Sequence, residues 1–190
     1  MLDFATMHEP SPVAGPFHTR IRVRYEETDA AGVVYYANYL VYFEVARVEA
    51  LRAVGVPITE VERRGVTLPA VSASCTYHSP ARVDDLLDVA MWTEHVGRAS
   101  FGFAYEVRRV VEQPGTASSD AGAADAGAAD AGTADAGTGQ RTPGATSDGD
   151  LIASGVTRHA VVARDTMRPV RIEGWIADLV ARAQDWRPPS

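Results

Sequence analysis

Hydrophobic and polar positions alternate with a period of two along several stretches of the chain. In residues 18–25, Ile21, Val23 and Tyr25 share one face and three arginines share the other, as in a half-buried strand. Stretches rich in β-branched and aromatic residues predict four further strands, and Gly97 is the predicted hairpin turn between two of them. These strands are residues 67–78, 86–96, 99–111 and 151–163. In residues 99–111 the predicted buried face consists of Phe101, Phe103, Tyr105 and Val107.

Residues 38–54 show helical spacing instead, with apolar side chains at every third or fourth position. Asn38 is the predicted N-cap, and Gly55 ends the pattern, so we expect one amphipathic helix of about four turns. Its predicted buried face consists of Leu40, Phe43, Ala46, Ala50, Leu51 and Val54. Its predicted outer face carries Glu44, Arg47 and Arg52, with Arg47 and Val48 near the boundary of the buried face. A shorter last helix is expected over residues 173–184.

One long helix after the first strand, followed by mostly hairpin-connected strands, favours an α+β fold. In such a fold one antiparallel sheet wraps its apolar face around the helix. A single sheet that covers one helix leaves an edge and part of a face open, and a symmetric pair of chains is the usual way to cover them. The pattern therefore predicts a homo-oligomer.

Residues 113–149 interrupt this pattern, because they contain no large apolar side chain and an aspartate recurs every five residues. Such a segment cannot bury enough surface to offset its conformational entropy, so we expect a disordered insertion. A calcium-binding aspartate repeat is the alternative, but such repeats alternate large apolar residues into a packed core. The predicted organisation is a single domain over residues 18–185, with tails at 1–17 and 186–190.

Composition excludes several classes of protein. The chain has 190 residues, 46% of them hydrophobic, and no apolar run long enough to span a membrane. The first nineteen residues lack Lys and Arg, so no secretory signal is expected and the predicted location is cytoplasmic. A lone Cys75 disfavours internal disulfides and structural zinc. Residues 112–150 hold seven acidic residues and one Arg, which accounts for −6 of the net charge of −7. The rest of the chain has a net charge of about −1, so no basic face for binding nucleic acid is expected.

The densest group of unusual residues is YEETDAAGVVYYANY at residues 25–39, between the first strand and the long helix. Asp29 is followed by two alanines and Gly32, small residues that let the backbone bend and a ligand approach. Tyr36 lies just before the helix N-terminus, where unpaired N–H groups can polarise a carbonyl oxygen. A carboxylate and an amide donor are therefore expected to share one site. The residues alone also allow Asp29 simply to cap a turn.

The segment RVRYEETDAAGVVYYANYLVYFEVARVEALRAVGV resembles the 4-hydroxybenzoyl-CoA thioesterase family, and above all its bacterial acyl-CoA thioesterases associated with the Tol-Pal system. The turn PARVDD at residues 80–85 continues the resemblance. It implies a hotdog fold, hydrolysis of acyl-CoA without a cofactor or metal, and a homodimer or homotetramer with its sites between chains. Two alternatives stay open: a thioesterase acting on acyl carrier protein, and an acyl-CoA-binding hotdog domain without catalysis.

The resemblance also implies roles for individual residues. Asp29 would be the catalytic carboxylate, the backbone N–H of Tyr36 the oxyanion donor, and Gly32 a determinant of loop geometry. Many relatives of the Tol-Pal branch carry His in place of Tyr36, so His-assisted proton transfer is not expected there.

Coenzyme A carries phosphates, and all 18 basic residues of this chain are Arg. The turn that contains Arg98 and Ser100 resembles the family's nucleotide-contacting turn, and Arg82 is a second candidate for substrate binding. A solvent-exposed turn arginine is the alternative for Arg98. Glu44 is a lesser candidate for the catalytic acid, since other hotdog thioesterases place theirs on the helix. Structural roles are expected for the three remaining candidates, His78, His95 and His159.

Overall fold

A computed structural model of the protein describes residues 16–111 and 149–184, and the predicted insertion and tails fall almost entirely outside these ranges. The strands are β1 Phe17–Arg22, β2 Val66–Thr67, β3 Ala70–Tyr77, β4 Leu86–Val96, β5 Ser100–Arg109, β6 Leu151–Ala160 and β7 Val162–Ala163. The helices are α1 Asn38–Ala53, α2 Ile58–Arg63 and α3 Trp175–Gln184, and a 3₁₀ turn spans Tyr25–Glu27. Among the described helices, none combines the length and hydropathy needed to cross a bilayer.

Five strands form one antiparallel sheet in the order β1-β4-β5-β6-β3, and β2 pairs with β7 beside it. β4 and β5 form a hairpin whose turn contains Gly97, as predicted. Alternation places Phe101, Phe103, Tyr105 and Val107 on the buried face of β5. The predicted α+β fold with an antiparallel sheet around one helix is therefore confirmed.

The long helix α1 packs directly onto the middle of this sheet. The ring of Phe43 stacks on Tyr105 with 4.3 Å between centroids and 13° between planes. Gly155 of β6 makes this approach possible, because a Cβ there would lie 2.4 Å from Phe43 Cε2 and 2.4 Å from the Ser74 carbonyl oxygen. The core is continuous from α1 through the sheet to α3.

Two predicted features of α1 are wrong. The N-cap is Ala37, and Asn38 is the first helical residue, whose side-chain amide donates to the Glu27 carbonyl oxygen at 2.8 Å. Leu40 is exposed, and Tyr39 and Tyr42 are buried in its place. The outer face is therefore partly apolar, since it also exposes Val41 and Val45.

Several predicted strand boundaries are wrong, because tertiary packing interrupts a local pattern. Tyr25 leaves β1, belongs to the 3₁₀ turn and is 84% exposed. The stretch 67–78 divides into β2 and β3, and the stretch 151–163 divides into β6 and β7. The six-residue helix α2 was not predicted, and Val61 anchors it in the core.

Candidate active site

Asp29 lies at the start of a tight loop that its own backbone closes. Its N–H donates to the Val33 carbonyl oxygen, its carbonyl accepts from Gly32 N–H, and both distances are 2.9 Å. Its side-chain Oδ1 accepts from the Ala31 N–H at 2.8 Å. Gly32 has φ +72°, a conformation that favours glycine, which supports the expectation that this residue shapes the loop. The carboxylate is exposed at the surface of the loop.

Tyr36 follows this loop, immediately before α1. Its carbonyl oxygen accepts a hydrogen bond from the Tyr77 hydroxyl at 3.1 Å, and the residue is 60% exposed. The neighbouring N–H groups of Tyr35 and Asn38 donate to backbone carbonyls, whereas that of Tyr36 has no acceptor among residues 16–111 and 149–184. A free N–H beside a helix N-terminus can stabilise negative charge on a ligand oxygen.

Asp29 and Tyr36 line one open cleft of about 360 Å³. The opposite wall is the end of β3 and the residues after it, which sequence analysis did not place in the site. The other lining residues are Val33, Val34, Tyr39, Tyr77, His78, Ser79 and Pro80. A proline that ends a strand next to polar residues is the signal that could have drawn attention to this wall.

Backbone and side-chain hydrogen bonds hold the two walls in place. Val34 N–H donates to the Ala81 carbonyl at 2.9 Å, and Arg109 Nη2 donates to the Pro80 carbonyl at 2.6 Å. Arg82 lies beside the Asp29 loop, with its Nη1 3.4 Å from the Gly32 carbonyl oxygen. Arg82, one of the predicted substrate-binding residues, therefore lies close to Asp29 within the same chain.

Arg98 and Ser100 lie at the opposite end of the sheet. The cleft is next to Tyr77, which pairs through Ala153 with Val107 of β5, whereas Ser100 begins β5. The seven residue steps from Ser100 to Val107 correspond to about 23 Å along the strand. One chain therefore does not unite Arg98 and Ser100 with Asp29.

The remaining sequence candidates occupy three different environments. Glu44 lies outside the cleft, with an exposed carboxylate 3.9 Å from Arg47. His78 lines the cleft and its Nε2 lies 2.9 Å from Ser154 Oγ, while His95 is exposed near the β4–β5 turn. His159 is buried and its Nε2 lies 3.0 Å from Thr157 Oγ1. Within the described ranges, His, Cys, Asp and Glu form no group of three or more able to hold a metal ion.

Sequence analysis also missed Glu27, whose carboxylate is buried between the loop and α1. Burial alone would raise the pKa of Glu27, but hydrogen bonds from Arg24 and Tyr42 outweigh it, so the pKa lies below the ordinary value. A glutamate in a turn is usually solvent-exposed, so nothing local indicated this burial.

The Thioesterase superfamily profile matches residues 31–115, a range that begins two residues after Asp29. A protein of Aquifex aeolicus named as a candidate esterase is 40% identical over 92 residues, 48% of this chain and 72% of that protein. The acyl-CoA thioester hydrolase YbgC of Escherichia coli is 32% identical over 105 residues, 55% of this chain and 76% of that one. The crystal structure of the hypothetical protein TT1821 from Thermus thermophilus is 30% identical, with a TM-score of 0.64. That alignment covers 87% of this chain and 98% of TT1821.

The sheet wrapped around one long helix, together with these likenesses, defines a hotdog fold. The chain belongs to the Thioesterase superfamily.

Proposed function

We propose that this protein is an acyl-CoA thioesterase, which hydrolyses the thioester of an acyl-coenzyme A to the free acid and CoA. The observation that carries the proposal is that the exposed Asp29 shares one cleft with Tyr36, whose N–H has no acceptor within the part of the chain that the structure describes. Membership of the superfamily and the likeness to YbgC support the reaction class. Assignment to the 4-hydroxybenzoyl-CoA branch and an association with the Tol-Pal system are finer parts of this proposal, supported by the motif around Asp29. A cytoplasmic location is also part of it, supported by the composition of the first nineteen residues, which lack Lys and Arg.

The chemistry follows from these two groups. Asp29 takes a proton from a water molecule whose oxygen bonds to the thioester carbonyl carbon, while the Tyr36 N–H stabilises the charge on the carbonyl oxygen. The C–S bond then breaks, and the thiolate receives the proton, so the products are a carboxylic acid and CoA. Direct attack by Asp29 to form a mixed anhydride, which water then hydrolyses, is the alternative route.

A shared site between two chains is part of the proposal. β3 is an edge of the sheet and exposes Val71 and Tyr77. A twofold axis that pairs two such edges makes them antiparallel, so the beginning of one β3 lies beside the end of the other. The Arg98 end of one sheet would then lie at the same end of the dimer as the Asp29 cleft of the other chain. Arg98 and Ser100 would bind the nucleotide phosphates there, and Arg82 would assist from the side of Asp29. A homodimer, or a tetramer built from two of them, satisfies this geometry.

Replacement of Asp29 by Asn tests the function. The substitution is nearly isosteric but removes the ionisable group, so we expect kcat to fall at least about a hundredfold while acyl-CoA binding changes only a few-fold. Thiol release from a series of acyl-CoA substrates measures kcat, and calorimetry measures binding. Asp165→Asn, in the exposed turn after β7, is the matched control and should keep wild-type turnover.

Two results would contradict the proposal. Near-normal turnover in Asp29→Asn would contradict the assignment of Asp29 as the catalytic carboxylate. Tight acyl-CoA binding without turnover by the wild-type protein would indicate the non-catalytic hotdog domain. Matched acyl-CoA and acyl-carrier-protein substrates should give a higher kcat/KM for the CoA thioester, and the reverse preference would favour the carrier-protein alternative.

A further inference from the structure

The side chain of Glu27 is a buried hydrogen-bond centre two residues before Asp29, and 9% of it is exposed. Oε2 accepts from the Arg24 N–H at 2.8 Å and from the Tyr42 hydroxyl at 2.9 Å. Oε1 accepts from Arg24 Nη2 at 2.9 Å and from Nε at 3.2 Å. Because Tyr42 is a buried residue in the second turn of α1, these bonds fasten the turn before Asp29 to the body of the helix.

The backbone of Glu27 makes a second connection, to the other half of the cleft. Its carbonyl oxygen accepts from the Tyr35 N–H and from Asn38 Nδ2, each at 2.8 Å. These two donors flank Tyr36 in the chain. One residue therefore fixes both the approach to Asp29 and the segment that presents the Tyr36 N–H.

We propose that Glu27, held by Tyr42, is a positioning residue that sets the Asp29 carboxylate and the Tyr36 N–H in register for attack on the thioester. The inference rests on the proposed function. Glu27 is buried and is absent from the cleft lining, so it acts through the two groups that it holds. Errors of about an ångström in such a pair are sufficient to lower turnover strongly. The expected signature is a loss of kcat with little change in KM, since substrate contacts outside the reacting centre persist.

Tyr42→Phe is the first test, because it removes a single hydroxyl from a residue outside the cleft lining. We expect kcat for acyl-CoA hydrolysis to fall about five- to twentyfold, with KM within about twofold of the wild type. Asn38→Ala is a milder second variant, since Asn38 is not the N-cap and alanine favours the helix; it should lower kcat about two- to fivefold.

Tyr105→Phe is the matched control for the loss of a buried hydroxyl. The Tyr105 hydroxyl lies 3.0 Å from Thr157 Oγ1, inside the sheet–helix interface and outside the cleft lining. This variant should also lose thermal stability, by less than Tyr42→Phe because its partner is uncharged, yet keep kcat within about twofold. The difference between the two phenylalanine variants separates positioning from general destabilisation.

The outcomes are distinct from a failure of the proposed function. If Asp29→Asn is inactive while Tyr42→Phe and Asn38→Ala keep kcat within twofold, the positioning role is wrong and the function stands. If Tyr42→Phe and Tyr105→Phe lower kcat equally, the loss reflects stability and the positioning role is also wrong. If Asp29→Asn keeps full turnover, the assignment of Asp29 fails, and the positioning role fails with it. If the wild-type protein binds acyl-CoA without turnover, the proposed function itself fails.

Discussion

His159 shows at the scale of one residue how burial and charge act together. Only 3% of it is exposed, it stacks on Phe101, and its Nδ1 lies 3.3 Å from the Leu68 carbonyl oxygen. Burial, assisted by the positive charge of Arg47, lowers the pKa of His159 from 6.5 to about 4. The folded protein therefore holds this imidazole neutral through a pH range in which the unfolded chain protonates it.

This difference predicts acid sensitivity. Well above pH 6.5 the imidazole binds no proton in either the folded or the unfolded state, so the free energy of unfolding is at its full value. As the pH falls from 6.5 towards 4, the proton binds to the unfolded chain only, and the free energy of unfolding therefore decreases. The expected loss by pH 4.5 is about 2 to 3 kcal/mol. Urea unfolding of the wild type and of His159→Asn between pH 7.5 and 4.5 measures it, and the variant should have the shallower slope. The exposed His95→Asn should follow the wild type, and equal slopes in all three proteins would contradict this account.

At the scale of elements, the contact of α1 with β6 depends on the absence of a side chain at Gly155. An added methyl group would meet both the Phe43 ring and the fixed backbone oxygen of Ser74, so the helix and strand have to separate. We expect Gly155→Ala to lower the free energy of unfolding by about 2 kcal/mol or more, measured by chemical denaturation. Gly102→Ala on the opposite face of the sheet meets the flexible side chain of Arg158 at 2.9 Å and the Thr157 carbonyl oxygen at 3.2 Å, a milder backbone contact than that at Gly155, so it should cost less. A larger loss in Gly102→Ala than in Gly155→Ala would refute this packing argument.

The connection between β5 and β6 gives another prediction at this scale. Arg108 pairs with Leu151, and the Arg109 N–H donates to the Asp150 carbonyl at 3.0 Å, so the two strand ends are adjacent. Deletion of residues 113–149 with a short Gly-Ser turn should leave kcat within about twofold. It should raise the free energy of unfolding by up to about 2 kcal/mol, because a shorter loop costs less entropy to close. A fall of many degrees in Tm would show that the segment contributes to the folded core.

Elements with a strong local period were predictable, and elements defined by long-range contacts were not. α1 and β5 show their repeats along the chain, and the structure confirms both elements. β3 is exposed at almost every position as an edge of this chain, and α2 has only six residues, so tertiary contacts decide their extent. The same reason explains Leu40, which fits the helical repeat but lies just outside the face that the sheet covers.

At the scale of the whole molecule, the separation of Arg98 from Asp29 predicts complementation between chains. A hybrid dimer of one Asp29→Asn chain and one Arg98→Ala chain would contain one site with both changes and one site with neither. We expect such hybrids, purified with two different tags, to recover up to about half of wild-type activity, whereas each parent variant stays impaired. Stable hybrids without recovered activity would place both residues on one side of a site. Activity in a verified monomer would exclude the shared site.

Local pattern in the sequence determined the α+β class, the long helix and the clearest strands, and it marked the Asp29 segment as a candidate site. It could do so because periodicity and turn chemistry act between near neighbours. Tertiary structure alone decided that Glu27 is buried under the loop, that the residues after β3 form the second wall of the cleft, and that Arg98 lies at the far end of the sheet. Each of these depends on residues distant in sequence that the packing of α1 on the sheet brings together or keeps apart, and a local repeat carries no information about such distances.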